Sequence, residues 1–130
     1  MTIPTLNRIL YVEDEADIQA VAQIALEAIG GFSVTICSSG KEAIQAAPRL
    51  GHDLILLDVM MPDMDGPSTL KALRGIPQTA ATPVIFMTAK VQPHEVAQYK
   101  EMGAIAVIPK PFDPMTLSAT VRRLWEEAHG

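Results

Sequence analysis

The sequence predicts an α/β domain in which an open, doubly wound, five-stranded parallel sheet carries helices on both faces. Three observations lead there. Short apolar runs recur five times along the chain, at Ile9 to Val12, Ser33 to Cys37, Leu54 to Leu57, Val84 to Met87 and Ile105 to Ile108. Each run is nearly continuous in hydrophobicity rather than alternating, as a strand buried on both faces must be. Each is followed by a longer stretch with helical spacing, and five such βα units in succession require a parallel sheet.

The helices follow in order. After the first run, Ile18, Val21, Ala22, Ala25, Leu26 and Ile29 recur at three- and four-residue intervals as an inward stripe, and Gly30-Gly31 stops the helix. Ser39 and Glu42 have capping-box spacing and open the second helix, whose inward positions are Ala43, Ile44 and Ala47, with Gly51 beyond its end. Pro67 marks the start of the third, with Leu70 and Leu73 on its apolar face and Gly75 at its terminus. Pro93 opens the fourth and Gly103 closes it. Asp113 as N-cap and Pro114 at the first helical position open the fifth, with Leu117, Val121, Leu124 and Ala128 on one stripe. No linker, repeat or low-complexity tract interrupts the series. One domain is therefore expected over residues 1–130, with its core from about 7 to 128.

Composition narrows the function classes. The 130 residues are 48% hydrophobic and 19% charged with a formal net charge of −5, which excludes intrinsic disorder and gives enough chain for a core without staples. Neither Lys nor Arg forms a run, so direct nucleic-acid binding and anionic-membrane binding are not expected. At 5% aromatic residues, stacking platforms for bases or sugars are not expected either. No apolar stretch approaches the roughly 18 residues of a membrane span, and Met1 to Arg8 lacks the plan of a signal peptide. The single cysteine, Cys37, excludes an intrachain disulfide and makes the reducing cytoplasm the expected location.

Ligands of doubly wound sheets bind outside the carboxyl ends of the strands. At those ends the chain carries Glu13-Asp14-Glu15, Asp58, Thr88-Ala89 and Pro109-Lys110-Pro111 after the first, third, fourth and fifth strands. Each has a plain structural reading: Asp14 or Asp17 as a cap of the first helix, Thr88 as another cap, Lys110 as a solvated side chain. Asp58 is different, because it follows Leu54-Ile55-Leu56-Leu57 directly and lies too far from Pro67 to cap the third helix. Together, Glu13, Asp14 and Asp58 repel one another unless a cation shares their site. An all-oxygen ligand set of this size suits Mg²⁺. An incoming phosphoryl group would then meet the cation, Lys110 and the Thr88 hydroxyl, with Asp58 placed as a nucleophile that forms an acyl phosphate.

These residues resemble the receiver domain of bacterial two-component response regulators. The resemblance rests on Ile9-Leu10-Tyr11-Val12-Glu13-Asp14-Glu15, on Asp58-Val59-Met60-Met61-Pro62-Asp63-Met64-Asp65-Gly66, on Thr88-Ala89 and on Lys110-Pro111-Phe112, and it covers about residues 7 to 128. It implies a flavodoxin-like three-layer sandwich with strand order 2-1-3-4-5, the order given for this kind of fold in general. It further implies a signalling phospho-acceptor rather than an enzyme acting on a separate substrate. Asp58 would take a phosphoryl group from a sensor histidine kinase or a histidine phosphotransfer protein. Mg²⁺ (or Mn²⁺) would be held by Asp14, Asp58 and the Met60 backbone carbonyl, with Glu13 acting through water. Thr88 and Lys110 would contact the phosphoryl group, and the Lys110-Pro111 peptide is expected to be cis. Gly66 suits a tight approach before the third helix.

The sequence also departs from the family pattern. Val107 stands where an aromatic switch residue is usual, so switching is expected to use backbone and helix shifts. An apolar Met60 cannot orient an attacking water, so slow self-dephosphorylation is expected; Lys90 is the other variable neighbour of the site. The rival from another class is a hydrolase of haloacid dehalogenase type, which also forms an aspartyl phosphate. It calls for an Asp-x-Asp motif on the first strand and a cap insertion, whereas Asp58 is on the third strand and is followed by Val59-Met60. A downstream output protein or domain is expected on another chain or on a part outside this sequence, and the domain is expected to be a monomer or a phosphorylation-linked dimer. Trp125 and most of the seven Met residues read as packing, and His52, His94 and His129 form no metal motif.

Overall fold

The computed structural model describes residues 3–130. Five parallel strands form one sheet in the order β2-β1-β3-β4-β5: β1 (Arg8–Val12), β2 (Ser33–Cys37), β3 (Leu54–Asp58), β4 (Val84–Thr88) and β5 (Ala106–Pro109). The strand pairs are all parallel, with Val12 opposite Cys37 and Leu57, Asp58 opposite Met87, and Thr88 opposite Pro109. The helices are α1 (Ala16–Gln23), which continues as a π-helical segment (Ile24–Ile29), α2 (Gly40–Leu50), α3 (Gly66–Arg74), α4 (Pro93–Glu101) and α5 (Leu117–His129). Both the fold class and the strand order are those expected.

Alternation along the strands sorts the core into two layers. Ile9 and Tyr11, Leu54 and Leu56, Ile85 and Met87, and Ala106 and Ile108 face Ala22, Leu26, Leu117, Val121 and Trp125 of the α1 and α5 layer. Leu10 and Val12, Ile55 and Leu57, and Val84 and Phe86 face Ala43, Ala47, Leu70, Leu73 and Tyr99 of the α2, α3 and α4 layer. Trp125 belongs to this packing, as expected, and its indole N–H donates to the Pro4 carbonyl at 2.8 Å.

Several helix details differ from the sequence expectations. Of the first helix's stripe, Ala22, Ala25 and Leu26 are fully buried, but Val21 and Ile29 are exposed. The wider π-type turns from Ile24 onward shift the angular spacing that a regular 3.6-residue stripe presumes, so Ile29 no longer falls in line. Ser39 Oγ accepts from the Glu42 N–H, but Glu42 returns its bond to the Ser38 N–H rather than to Ser39, so the capping box is shifted by one residue. The fifth helix begins at Leu117, not Pro114, because Asp113 Oδ1 accepts from the Met115 N–H and closes a turn ahead of the helix. Pro93 opens α4 as expected, and Asp65 caps α3 by accepting from the Ser68 N–H at 2.8 Å.

Candidate functional site

Strand ends assemble the site. Asp58 terminates β3 at the centre of the sheet, where both faces and both neighbouring strands cover it, and it is 2% exposed. Glu13 extends β1, with its N–H still donating to the Cys37 carbonyl, and Lys110 extends β5, donating to the Thr88 carbonyl. Alternation gives Glu13 the parity of Tyr11, Asp58 that of Leu56 and Lys110 that of Ile108, so all three sides lean toward the α1 and α5 layer. Lys110 Nζ bridges the other two, 2.7 Å from Glu13 Oε1 and 3.2 Å from Asp58 Oδ1. The Lys110-Pro111 peptide is cis.

Burial governs the electrostatics. Desolvation, reinforced by the Glu13 charge and only partly offset by Lys110, pushes the Asp58 carboxyl up to about 6. Burial opposes the charge on Lys110, but the hydrogen bond it donates to Glu13 and the Asp58 charge outweigh it and hold the ammonium above its ordinary range. One cation therefore serves two buried carboxylates, leaving a deficit of positive charge.

Asp14 sharpens that deficit. It does not cap α1, whose N-cap is Glu15 and has no side-chain cap bond. Its Oδ1 is buried without a hydrogen-bond partner among the described residues, an arrangement that costs about 1–3 kcal/mol or more for a charged group unless something else satisfies it. Glu13, Asp14 and Asp58 each offer a carboxylate oxygen, and these oxygens lie within 4.8 Å of one another. A hard divalent cation with oxygen ligands answers both the orphaned oxygen and the charge deficit, so the residues present fit Mg²⁺.

The other expected positions are placed as follows. Thr88 is 2% exposed at the end of β4, where its Oγ1 accepts from the Lys90 N–H at 3.1 Å; it has the parity of Phe86, toward the opposite layer from Lys110. Thr88 therefore closes a local turn rather than capping α4, whose N-cap is Gln92, and its hydroxyl proton is uncommitted. Met60 is 65% exposed at the lip of the site. Gly66 opens α3 against the backbone of the site: its N–H donates to the Val59 carbonyl, and a Cβ there would stand 2.6 Å from the Asp58 carbonyl oxygen.

Two participants escaped sequence reasoning. Tyr11, fully buried, donates its hydroxyl to Glu13 Oε1 at 3.2 Å. Burial first, then the Glu13 charge, push its phenol far up, so it stays protonated. The two-residue spacing from Tyr11 to Glu13 on one strand face was the available signal. Gln19 donates from Nε2 to the Glu13 carbonyl and to Ser38 Oγ, tying the loop after β1 to the end of β2; nothing in its sequence context marks that role.

Comparison with known proteins agrees with this geometry. The family model for the response regulator receiver domain matches residues 9–122. The chain is 38% identical over 124 residues to the transcriptional regulatory protein CpxR of Escherichia coli K12, an alignment covering 95% of this chain and 51% of CpxR. It thus spans about half the length of the curated relatives it matches. The chemotaxis response regulator CheY4 of Vibrio cholerae superposes with a TM-score of 0.84 at 32% identity, covering 92% of this chain and 99% of CheY4. The receiver domain of the sensor histidine kinase PA1611 from Pseudomonas aeruginosa, solved with a magnesium ion coordinated in its active site cleft, superposes with a TM-score of 0.80 at 28% identity, covering 94% and 99%.

Proposed function

Since this chain belongs to the response regulator receiver domain family of two-component signalling, we propose that Asp58 accepts a phosphoryl group from a phosphohistidine on a sensor histidine kinase or phosphotransfer protein, with Mg²⁺ bound beside it. The observation that carries the reading is the ring of groups about Asp58: Lys110 at 3.2 Å, Glu13 beyond it, and the unsatisfied Asp14 oxygen. A haloacid dehalogenase-type hydrolase has no support, because the nucleophile is on β3 and the family match accounts for residues 9–122.

In the transfer, a carboxylate oxygen of Asp58 attacks phosphorus, the P–N bond breaks, and the electron pair leaves with the imidazole. Asp14, Asp58 and the Met60 carbonyl would hold Mg²⁺ directly and Glu13 through water. When bound, the ion supplies the positive charge that Lys110 alone cannot, against the carboxylates and the phosphoryl oxygens. Lys110, already drawn between two carboxylates, neutralises a phosphoryl oxygen as charge builds on it. Thr88 keeps its hydroxyl proton for another, since its bond from Lys90 uses only an acceptor lone pair.

The donor protein has a surface to meet. A groove of about 230 Å³ lined by Ile18, Val21, Pro111 and Phe112, with Asp17 and Lys110 at its rim, adjoins the site. Reversal needs a water in line with the acyl phosphate. Met60 offers that water no hydrogen bond, which supports slow self-dephosphorylation. With Val107, on β5, partly buried against the α2, α3 and α4 layer, switching through Thr88 would run through backbone and helix shifts. The cytoplasm is the fitting location; among the described residues, no helix is long and apolar enough to cross a membrane. An output protein or domain, and a monomer or phosphorylation-linked dimer, complete the reading.

Incubation with acetyl phosphate and Mg²⁺ followed by intact mass measurement tests it. One added phosphoryl mass that disappears in Asp58→Asn and on chelation of the metal is expected; no added mass contradicts the proposal.

A further inference from the structure

Glu13 accepts more hydrogen bonds than the other carboxylates of the site, and its two oxygens are unequally used. Oε1 takes both strong partners, Lys110 Nζ at 2.7 Å and the Tyr11 hydroxyl at 3.2 Å. Among the described residues, Oε2 takes only the Glu15 N–H, at a long 3.3 Å. Tyr11 comes from below, inside the α1 and α5 layer, where it is wholly excluded from water. Its hydroxyl has no other hydrogen-bond partner among the described residues, so the bond to Glu13 satisfies both a buried donor and a buried charge.

We propose that Tyr11 is a positioning residue of the cation site: its phenol pins Glu13 Oε1 and so leaves Oε2 as the oxygen turned to the cation. This rests on the reading of Glu13, Asp14 and Asp58 as a Mg²⁺ site. Tyr11 touches neither the cation nor the phosphoryl group; it acts through Glu13. Its role grows at the moment Lys110 is needed elsewhere. When the ammonium shifts to a phosphoryl oxygen, Oε1 loses one of its two donors and Tyr11 becomes the one that keeps Glu13 in place. A phenylalanine at this position would pack equally well but could not do so, which separates positioning from packing.

The test uses Tyr11→Phe, which keeps the ring. Mg²⁺ binding is titrated calorimetrically without any phosphodonor, and phosphorylation by acetyl phosphate is then followed across Mg²⁺ concentrations. The apparent Mg²⁺ dissociation constant is expected to rise on the order of tenfold, the usual scale for losing an outer partner of a metal ligand, while the rate at saturating Mg²⁺ stays within about twofold. An unchanged dissociation constant, or an unchanged constant with a fallen saturating rate, overturns the proposal. Should Tyr11→Phe fold poorly, a second readout is available in the ultraviolet. The chain has two tyrosines, so Tyr99→Phe leaves Tyr11 alone, and its difference spectrum must change on adding Mg²⁺; a flat spectrum with Mg²⁺ bound contradicts the assignment. Absence of Mg²⁺ binding in the unaltered protein would instead count against the metal site itself, which keeps the two failures apart.

Discussion

Lys110 and Glu13, 97 positions apart in sequence, form a 2.7 Å ion pair that passes over Asp58. Their strands are not neighbours, since β3 and β4 stand between β1 and β5. At about 4.8 Å per strand, the backbones are separated by roughly 14 Å, so two long side chains are needed to close the gap. This is a physical reason for Glu at position 13 and Lys at position 110, and it places the ammonium beside the Asp58 carboxylate.

Removing that ammonium leaves two buried carboxylates without a counter-charge. In chelator, Lys110→Ala is therefore expected to destabilise the domain by about 3 kcal/mol, the scale for breaking a buried pair. Saturating Mg²⁺ should recover a substantial part of the loss by binding the folded state alone. Urea unfolding with and without Mg²⁺ checks both.

Asp58 leads to the opposite sign. Its folded pKa is raised from an ordinary carboxyl value to about 6, so the folded state holds the proton more tightly than the unfolded state. Stability from this group is present at low pH and declines as pH rises through that window. Asp58→Asn should thus raise the metal-free stability at neutral pH, by about 3 kcal/mol at most and with a higher melting temperature, and abolish most of the stabilisation by Mg²⁺. Calorimetric melts at pH 5 and pH 7.5, with the difference larger at the higher pH, are the check.

Gly66 is required by space rather than by torsion. A Cβ there meets the Asp58 carbonyl oxygen at 2.6 Å and the Val59 Cα at 2.9 Å, both backbone atoms that cannot swing aside. Gly66→Ala should cost about 1–3 kcal/mol by overpacking and weaken Mg²⁺ binding, because the strand end that carries Asp58 must shift. Gly75→Ala, whose nearest contact is 3.4 Å, is the control and should leave the metal affinity unaltered.

At the opposite end of the sheet, His52 Nε2 lies 3.0 Å from Thr35 Oγ1, and Nδ1 is buried without a partner among the described residues. Burial, with a contribution from Arg8, lowers its pKa, and Asp53 opposes this only in part. The unfolded chain therefore takes up the proton first. Stability is complete above the ordinary histidine pKa and falls as the pH drops below about 6.5. Because the Asp58 contribution runs the other way over the same range, the check is the difference between the unaltered protein and His52→Gln in chemical unfolding between pH 7.5 and 5, and that difference should show the fall.

The strands and most of the candidate site were legible because their signals are local, whereas the strand order followed only from the family resemblance. Leu54 to Leu57 can be read as a doubly buried strand from its own residues, and Asp58 stands out because nothing nearby explains it. What escaped depends on events elsewhere in the chain. Ile29 repeats at helical spacing, yet the π-helical turn from Ile24 breaks the stripe before it, and no residue in it announces that turn. Asp113-Pro114 has the form of a helix start, but the Asp113 side chain closes a turn on Met115 first. Tyr11 read as part of a strand because its partner, Glu13, was itself assigned only to the cation.

The central claim, that Asp58 carries the phosphoryl group, is tested most directly by chemical trapping. After exposure to acetyl phosphate and Mg²⁺, borohydride reduces an aspartyl phosphate to homoserine, which peptide mass spectrometry locates. Homoserine at position 58, dependent on Mg²⁺ and lost in Lys110→Ala or on omission of the donor, is the predicted result. Homoserine at Asp14 or another carboxylate, or none at position 58 in a protein shown to be folded and Mg²⁺-bound, would contradict the account.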